Sequence, residues 1–226
     1  STRALLRNSV AVLGRPLVWA QAGVIICAYC GYKGFDNYSL YAVQVLGMNE
    51  VDGARITAYA TYVRPVAAIA AGFVADRWAA GKTVGICFGL LVVSYGVLAT
   101  TLPTGPGLNL IYGNLFVSVF AVFMLRGVYF ALLEENQVPP YLTGAVAGAV
   151  SFIGYTPEIF FGPITGRILD ASPGPVGHQN YFLFLAVVAT IGIAVVAWLL
   201  WLQRNQSASH WPTIPAEPGG KKPAHD

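Results

Sequence analysis

The chain has 226 residues, of which 56% are hydrophobic and 10% are charged, and its formal net charge is +3. An ordinary soluble domain carries roughly 25% charged residues, and a mean hydropathy of +0.60 leaves too much apolar surface to hide from water, so a soluble fold is excluded. The modest charge, carried by flanks and loops, also argues against a nucleic-acid partner.

Six stretches are apolar over about 20 residues or more, the length that a helix needs to cross the hydrocarbon core. They cover residues 16–41, 54–75, 83–102, 108–133, 143–169 and 181–202, which together form an expected transmembrane domain over 16–203. Clusters of proline and glycine, such as residues 103–107, separate several of them. The sequence therefore predicts an all-α membrane protein with six transmembrane helices.

The orientation follows from the preference of lysine and arginine for cytoplasmic loops. Arg55 and Arg167 fall on one side of the predicted bundle. The other side carries most of the basic residues outside the helices: Arg3, Arg7, Arg15, Arg77, Lys82, Arg204, Lys221 and Lys222. Both termini are therefore expected in the cytoplasm, with the protein in the inner or plasma membrane.

The two ends of the chain are expected to lie outside the membrane domain. Residues 1–15 start with Ser1 and lead through a basic run directly into the first helix, which is typical of a cytoplasmic linker within a longer polypeptide. Residues 204–226 are polar and rich in proline, and they predict a disordered cytoplasmic tail.

Small residues in the helices predict close packing between them. Glycines at four-residue spacing form two candidate packing faces: Gly81, Gly85 and Gly89 in the third helix, and Gly144 and Gly148 in the fifth. Cys27 and Cys30 form a CxxC pattern, but it lies inside an apolar helix, so we interpret both as packing residues. We expect no metal and no cofactor.

Ionisable residues stand near the middle of three predicted helices. Lys33 and Asp36 lie in the first helix, Arg64 in the second and Glu158 in the fifth. A charge at this depth costs at least ~2.5 to 3.5 kcal/mol unless it faces water or a partner. Their formal charges sum to zero, which predicts a cavity lined by both signs; pairing that only fixes helix register is the alternative.

Each of these residues has a predicted role in such a cavity. Lys33 and Arg64 are expected to contact charge on a substrate. Asp36 and Glu158 are candidates for carrying a proton, because partial burial favours the protonated form of a carboxyl group. Hydrogen-bonding or stacking groups are expected from neighbouring polar positions: Tyr29, Tyr32, Asn37 and Tyr155.

Two further features concern the fourth and fifth helices. Gly154 and Pro157 predict a loosened or kinked backbone beside Glu158, where freed carbonyls can face a substrate or a coupling ion. In the fourth helix Arg126 could contact an anion in the pathway, or pair with a carboxylate as part of an inner gate. Glu134 follows on the same side.

The hairpin between the second and third helices carries a recognisable pattern. Asp76 follows Gly72 by four residues, and Arg77 and Lys82 come next. This pattern resembles the cytoplasmic signature loop of the major facilitator superfamily, although that family usually has glycine where Ala79 stands. In such a loop the aspartate faces a helix end, and the basic residues pair with carboxylates and anchor at the headgroups.

A second stretch is similar to the same family. Glu134-Glu135, Pro139-Pro140 and residues 143–148 resemble the connection between its tenth and eleventh helices. The resemblance covers residues 16–202 and implies that the chain is the C-terminal six-helix half of a twelve-helix transporter. It also implies alternating access, with the substrate held between two halves, and an N-terminal half in the same chain or in a separate subunit.

The predicted function is therefore secondary active transport of a small polar solute, with an anionic solute and symport with protons as options. A six-helix scaffold or regulatory half that does not transport is the alternative. A membrane enzyme is not expected, because the histidines His178, His210 and His225 all fall in predicted loop or tail, away from the intramembrane polar residues.

Overall fold

The computed structural model describes residues 12–101, 103–104 and 107–205. Within these ranges the chain is helical and contains no strand. We number the α-helices α1 Pro16–Gly34, α2 Tyr38–Gln44, α3 Glu50–Trp78, α4 Ala80–Thr100, α5 Gly107–Val128, α6 Leu132–Glu135, α7 Pro140–Gly154, α8 Pro157–Ala171 and α9 Pro175–Asn205. A 3₁₀ turn, Phe35–Asn37, joins α1 to α2.

Most of the predicted linker and tail lies outside the described residues. The same holds for several residues named above: Arg3, Arg7, His210, Lys221, Lys222 and His225. Arg204, placed in the tail by the sequence, belongs to the last turn of α9.

Five helical stretches of the described chain are long and apolar enough to cross a membrane. They are Glu50–Trp78, Ala80–Thr100, Gly107–Val128, Pro140–Ala171 and Pro175–Asn205. The helix α1, with 19 residues, is not among these five. The all-α class is thus confirmed, whereas the count of six spans remains a prediction.

Proline sets the start of four helices. Pro16, Pro140, Pro157 and Pro175 open α1, α7, α8 and α9. Proline suits a first helical turn because its fixed φ is already helical and its missing N–H has no partner there anyway. As a result α9 begins six residues before the predicted window, and His178, predicted in a loop, lies in its first turn.

The bundle is organised around α9, which packs along α4 and α1, while α5 packs between α4 and α3. Two glycines allow close approaches between helices. A Cβ at Gly192 would lie 2.5 Å from Cε1 of Phe88, and one at Gly154 would collide with the side chain of Ile25. The helices α7 and α8 pack on α1 and on α9, at the margin of this core.

Close packing is observed at two of the five glycines for which it was predicted. Gly81 meets Leu200, and Gly85 meets Val196 of α9. The packing prediction is wrong, within the described residues, for the others, because a Cβ would meet nothing within 4 Å at Gly89, Gly144 and Gly148.

Candidate functional site

The mid-helix charges meet at one place on the bundle, where α1 faces the start of α8. Nζ of Lys33 lies 2.8 Å from Oδ2 of Asp36 and 3.5 Å from Oε1 of Glu158. We call these three residues the ion cluster. The lysine side chain is 24% exposed, but Asp36 and Glu158 are 52% and 57% exposed. The cluster therefore opens outward and is not sealed in the core.

A group of tyrosines completes the surroundings of Glu158. The hydroxyl of Tyr29 donates to Oε2 of Glu158 at 2.7 Å. The rings of Tyr29 and Tyr155 lie 4.9 Å apart, and the hydroxyls of Tyr155 and Tyr129 are 3.3 Å apart. Both oxygens of Glu158 thus have a donor, one from tyrosine and one from Lys33, so the carboxylate is held in a defined position.

The predicted break in the fifth span is confirmed, and it places Glu158. The helix α7 ends at Gly154 and α8 begins at Pro157. Across the gap the backbone makes tighter bonds than an α-helix does: N of Thr156 donates to O of Ile153, and N of Glu158 donates to O of Tyr155. Glu158 therefore sits in the first turn of α8, directly after the bend.

Arg126 approaches the same tyrosines from α5. Its Cζ lies 3.9 Å from the ring centroid of Tyr32 and 5.8 Å from that of Tyr29, so the guanidinium stacks on Tyr32. Nη1 is buried without a hydrogen-bond partner. Within the described residues Arg126 forms no ion pair, and the predicted alternative of an inner gate closed by a carboxylate is not seen.

An open cleft of about 500 Å³ lies beside the ion cluster, between α1, α3 and α5. Arg64 of α3 lines it together with Asp36 and Tyr32. Arg64 is exposed and forms no ion pair in the described part of the chain. The structure thus brings Arg64 to the same opening as Asp36 but, within the described residues, leaves it without a carboxylate partner.

Asn37 does not join this group. Its Nδ2 donates to the hydroxyl of Tyr181 on α9 at 3.2 Å, and Tyr181 donates in turn to O of Gly34 at 2.6 Å. The cause is the 3₁₀ turn at Phe35–Asn37, because three residues per turn change the angular spacing that an uninterrupted α-helix would keep.

The polar residues of α5 cross-link helices. Nδ2 of Asn114 donates to O of Ser94 at 2.6 Å, and the hydroxyls of Ser118 and Tyr38 are 2.7 Å apart in the core. Asn114 and Ser118 thus hold helices together, whereas Arg126 of the same helix reaches the tyrosines of the candidate site.

The loop that resembles the family signature lies at the C-terminal end of α3. Gly72 is exposed within the helix, Asp76 and Arg77 belong to its last turns, and Lys82 lies in the first turn of α4. Within the described residues neither Arg77 nor Lys82 forms an ion pair. The link between the helices is Ala79, with φ of 74°.

Sequence reasoning selected Glu134 for this region, but its neighbour makes the contact. Oε2 of Glu135 accepts the backbone N–H of Gly81 at 2.7 Å, at the start of α4, whereas Glu134 is exposed beside Asp76. Tyr129 was also missed. Tyr129 lies three residues after Arg126, and residues three apart share a helix face, so this spacing could have predicted that Tyr129 belongs to the candidate site.

Comparison with known proteins supports a membrane location. No protein-family profile matches the chain. The chain is 27% identical over 126 residues to the inner membrane protein YqcE of Escherichia coli (strain K12), covering 56% of this chain and 29% of that protein. It is 25% identical over 182 residues to the inner membrane protein YihN of the same organism, covering 78% and 42%. The chain thus spans less than half the length of each.

The helices and these relatives together define the class. The chain is a multi-pass helical membrane protein similar to bacterial inner membrane proteins. Its candidate site combines ionised groups, tyrosine hydroxyls and an open cleft, a set that can bind and exchange a polar solute or a proton.

Proposed function

We propose that the chain is a six-helix half of a major-facilitator-type transporter and carries out secondary active transport of a small polar or anionic solute by alternating access. The sixth span would be α1 with α2, and Glu158 or Asp36 would carry protons if transport is coupled to them. The other wall of the pathway would come from a second six-helix half.

The ion cluster is the observation that carries this proposal. A structural ion pair in a membrane bundle gains most when it is buried and fully partnered, because lipid cannot solvate charge. Here both carboxylates are about half exposed, next to an open cleft that also holds Arg64. Such a set is stable in a bilayer only if water or another polar surface faces it.

The length of the relatives and the exposed helix faces support a missing second half. The two inner membrane relatives are more than twice as long as the parts that match. Large apolar side chains of α3 and of the bent α7–α8 region are exposed: Tyr59, Tyr62, Val66, Ile69, Phe73, Phe152 and Ile159. A second bundle packed there would cover them and close the pathway.

Uptake into membrane vesicles that contain the complete protein tests the proposal. The panel comprises radiolabelled sugars, sugar acids, phosphorylated sugars and small carboxylates. We expect saturable uptake of at least one class, lost in Lys33→Gln. Arg55→Gln serves as the matched control, because Arg55 pairs with Asp52 at the start of α3, away from the cluster.

Two results would count against transport. If no member of the panel enters the vesicles above the level of protein-free controls, the scaffold interpretation replaces it. If Lys33→Gln and Arg55→Gln transport equally well, the ion cluster has no part in the pathway.

A further inference from the structure

We infer that Arg126, Arg64 and the ring of Tyr32 form an oxyanion subsite, which selects a solute with one net negative charge on a carboxylate or sulfonate group. This inference rests on the proposed transport function and names the class of solute. It differs from the expectation drawn from the sequence, in which Lys33 and Arg64 were the two contacts.

Lys33 is already neutralised. Its ammonium contacts Asp36 at 2.8 Å and Glu158 at 3.5 Å, so both carboxylates of the site surround it. An incoming anion would have to displace a carboxylate to reach it, at the cost of leaving that carboxylate unpaired. The lysine therefore holds the two acids in place, and the solute meets other cations.

Among the residues that the structure describes, Arg126 has no carboxylate acceptor. The face of its guanidinium is covered by Tyr32 at 3.9 Å, so that face is closed to a ligand. The N–H donors of arginine point outward in the plane of the group, where two of them match the two oxygens of a carboxylate or sulfonate. Because Nη1 is buried with no partner, an oxyanion at this edge would satisfy a donor that is otherwise unpaired.

Arg64 is a second cation that forms no ion pair in the described part of the chain. It lines the cleft with Tyr32, the residue on which Arg126 stacks. The hydroxyls of Thr57 and Thr61, which line the same cleft, donate to carbonyls of their own helix. Asp36, a carboxylate that lines this cleft, is bound to Lys33.

The charge count sets the preferred ligand. Within the described residues the ion cluster and the two arginines comprise three cations, Lys33, Arg64 and Arg126, and two carboxylates, Asp36 and Glu158, which leaves one positive charge. An unbalanced charge is costly in a surrounding of low dielectric, and a monoanion removes the imbalance. A neutral solute leaves it in place, so the site discriminates by charge as well as by shape.

Thermal unfolding of the purified complete protein in detergent provides a test that does not depend on transport. Sodium acetate and sodium methanesulfonate are titrated at constant ionic strength against sodium chloride. A ligand that binds only the folded state stabilises it by RT ln(1 + [L]/Kd), so the unfolding temperature keeps rising with the logarithm of ligand concentration above Kd. We expect such a rise with both oxyanions and none with chloride.

Three variants at the subsite and one control variant locate the effect. Arg64→Gln alters an exposed side chain and should weaken the oxyanion response roughly tenfold, while the unfolding temperature without ligand stays the same. Arg126→Gln should abolish the response, and Arg126→Lys should restore part of it as a single-point cation. Arg55→Gln, on the same helix as Arg64 but paired with Asp52, should respond like the unaltered protein.

Failure of this inference can be told apart from failure of the transport proposal. If acetate and methanesulfonate act no differently from chloride, or if Arg64→Gln and Arg126→Lys keep the full response, the subsite is wrong. Vesicle uptake of neutral sugars in the same preparation would then leave transport standing. Saturable oxyanion binding without uptake of any solute would support the subsite and refute transport.

Discussion

The side of the bundle formed by α4 and α5 is buried to a very different extent from the side formed by α3. In the most apolar 18-residue stretch of each helix, 44% and 50% of the residues are buried in α4 and α5, against 11% in α3. Yet all three are apolar enough to cross a membrane. Hydropathy therefore reports that a helix avoids water, but not whether lipid, the core or another bundle covers it.

The polar groups of the core differ from those of the ion cluster in the same way. In the core the neutral pair Tyr38 and Ser118 is buried and hydrogen-bonded. In the ion cluster the carboxylates of Asp36 and Glu158 are ionised and about half exposed. A neutral hydrogen bond joins helices without a charge to solvate, whereas exposed ions require water or a polar partner.

Adding one methyl group should distinguish a tightly packed helix face from an open one most clearly. At Gly192 the new Cβ would meet three ring atoms of the fully buried Phe88, so Gly192→Ala should lower the free energy of unfolding by about 1 to 3 kcal/mol. Gly148→Ala meets nothing within 4 Å and should be neutral or slightly stabilising. Equal losses in detergent unfolding would show that Gly148 also packs tightly.

Removing the charge of Glu158 should affect transport more than stability. Glu158→Gln should uncouple uptake from the proton gradient, with roughly tenfold slower gradient-driven uptake, while solute exchange continues. Its stability cost should stay below about 1 kcal/mol, because Glu158 is 57% exposed. Uptake in vesicles at several external pH values is the measurement. A pH dependence identical to that of the unaltered protein would remove Glu158 from proton coupling.

Removing one tyrosine hydroxyl from the core and one from the ion cluster compares the stability contributions of the two regions in finer detail. Tyr38→Phe removes a buried hydrogen bond to Ser118, whose hydroxyl still donates to O of Leu115, and should cost about 1 kcal/mol of unfolding free energy. Tyr29→Phe removes a donor to the exposed Glu158, where water can replace it, so its stability cost should be smaller. Denaturant unfolding of both variants decides this, and a larger loss for Tyr29→Phe would contradict the distinction.

The smallest expected effect is a gain in stability from a substitution at the α3–α4 link. Ala79 has φ of 74° and ψ of 147°, a region that glycine adopts freely and other residues only with strain. Ala79→Gly should stabilise the protein by about 0.5 to 1 kcal/mol, since relief of strain exceeds the added freedom of the unfolded chain. Ala80→Gly, at a buried helical position, should destabilise it, and a loss in both variants would contradict the strain.

The sequence predicted the helices well because apolar length and breaker residues act locally. The break before Glu158 followed from Gly154 and Pro157 for the same reason. The positive φ of Ala79 is not predicted by the sequence, because alanine carries no local signal for a conformation that glycine favours.

Contacts between helices that are distant in the chain could not be predicted from local sequence signals. Whether Lys33 would bind a substrate or Glu158 depends on how α1 and α8 cross, over a separation of 125 residues. The choice between Glu134 and Glu135 depends on a single turn of α6, since neighbouring residues point about 100° apart. The sequence pattern thus indicates which residues belong to the candidate site, but not which residues they contact.

The 3₁₀ turn at Phe35–Asn37 is a point at which the helical stretch from α1 to α2 could change its length. Each residue rises about 2.0 Å in a 3₁₀-helix and about 1.5 Å in an α-helix, so rewinding three residues would shorten the span by about 1.5 Å. It would also rotate Tyr38–Gln44 by about 60° relative to α1. Such a screw motion would pull Asn37 away from Tyr181 while Lys33, one turn earlier, stayed with Glu158.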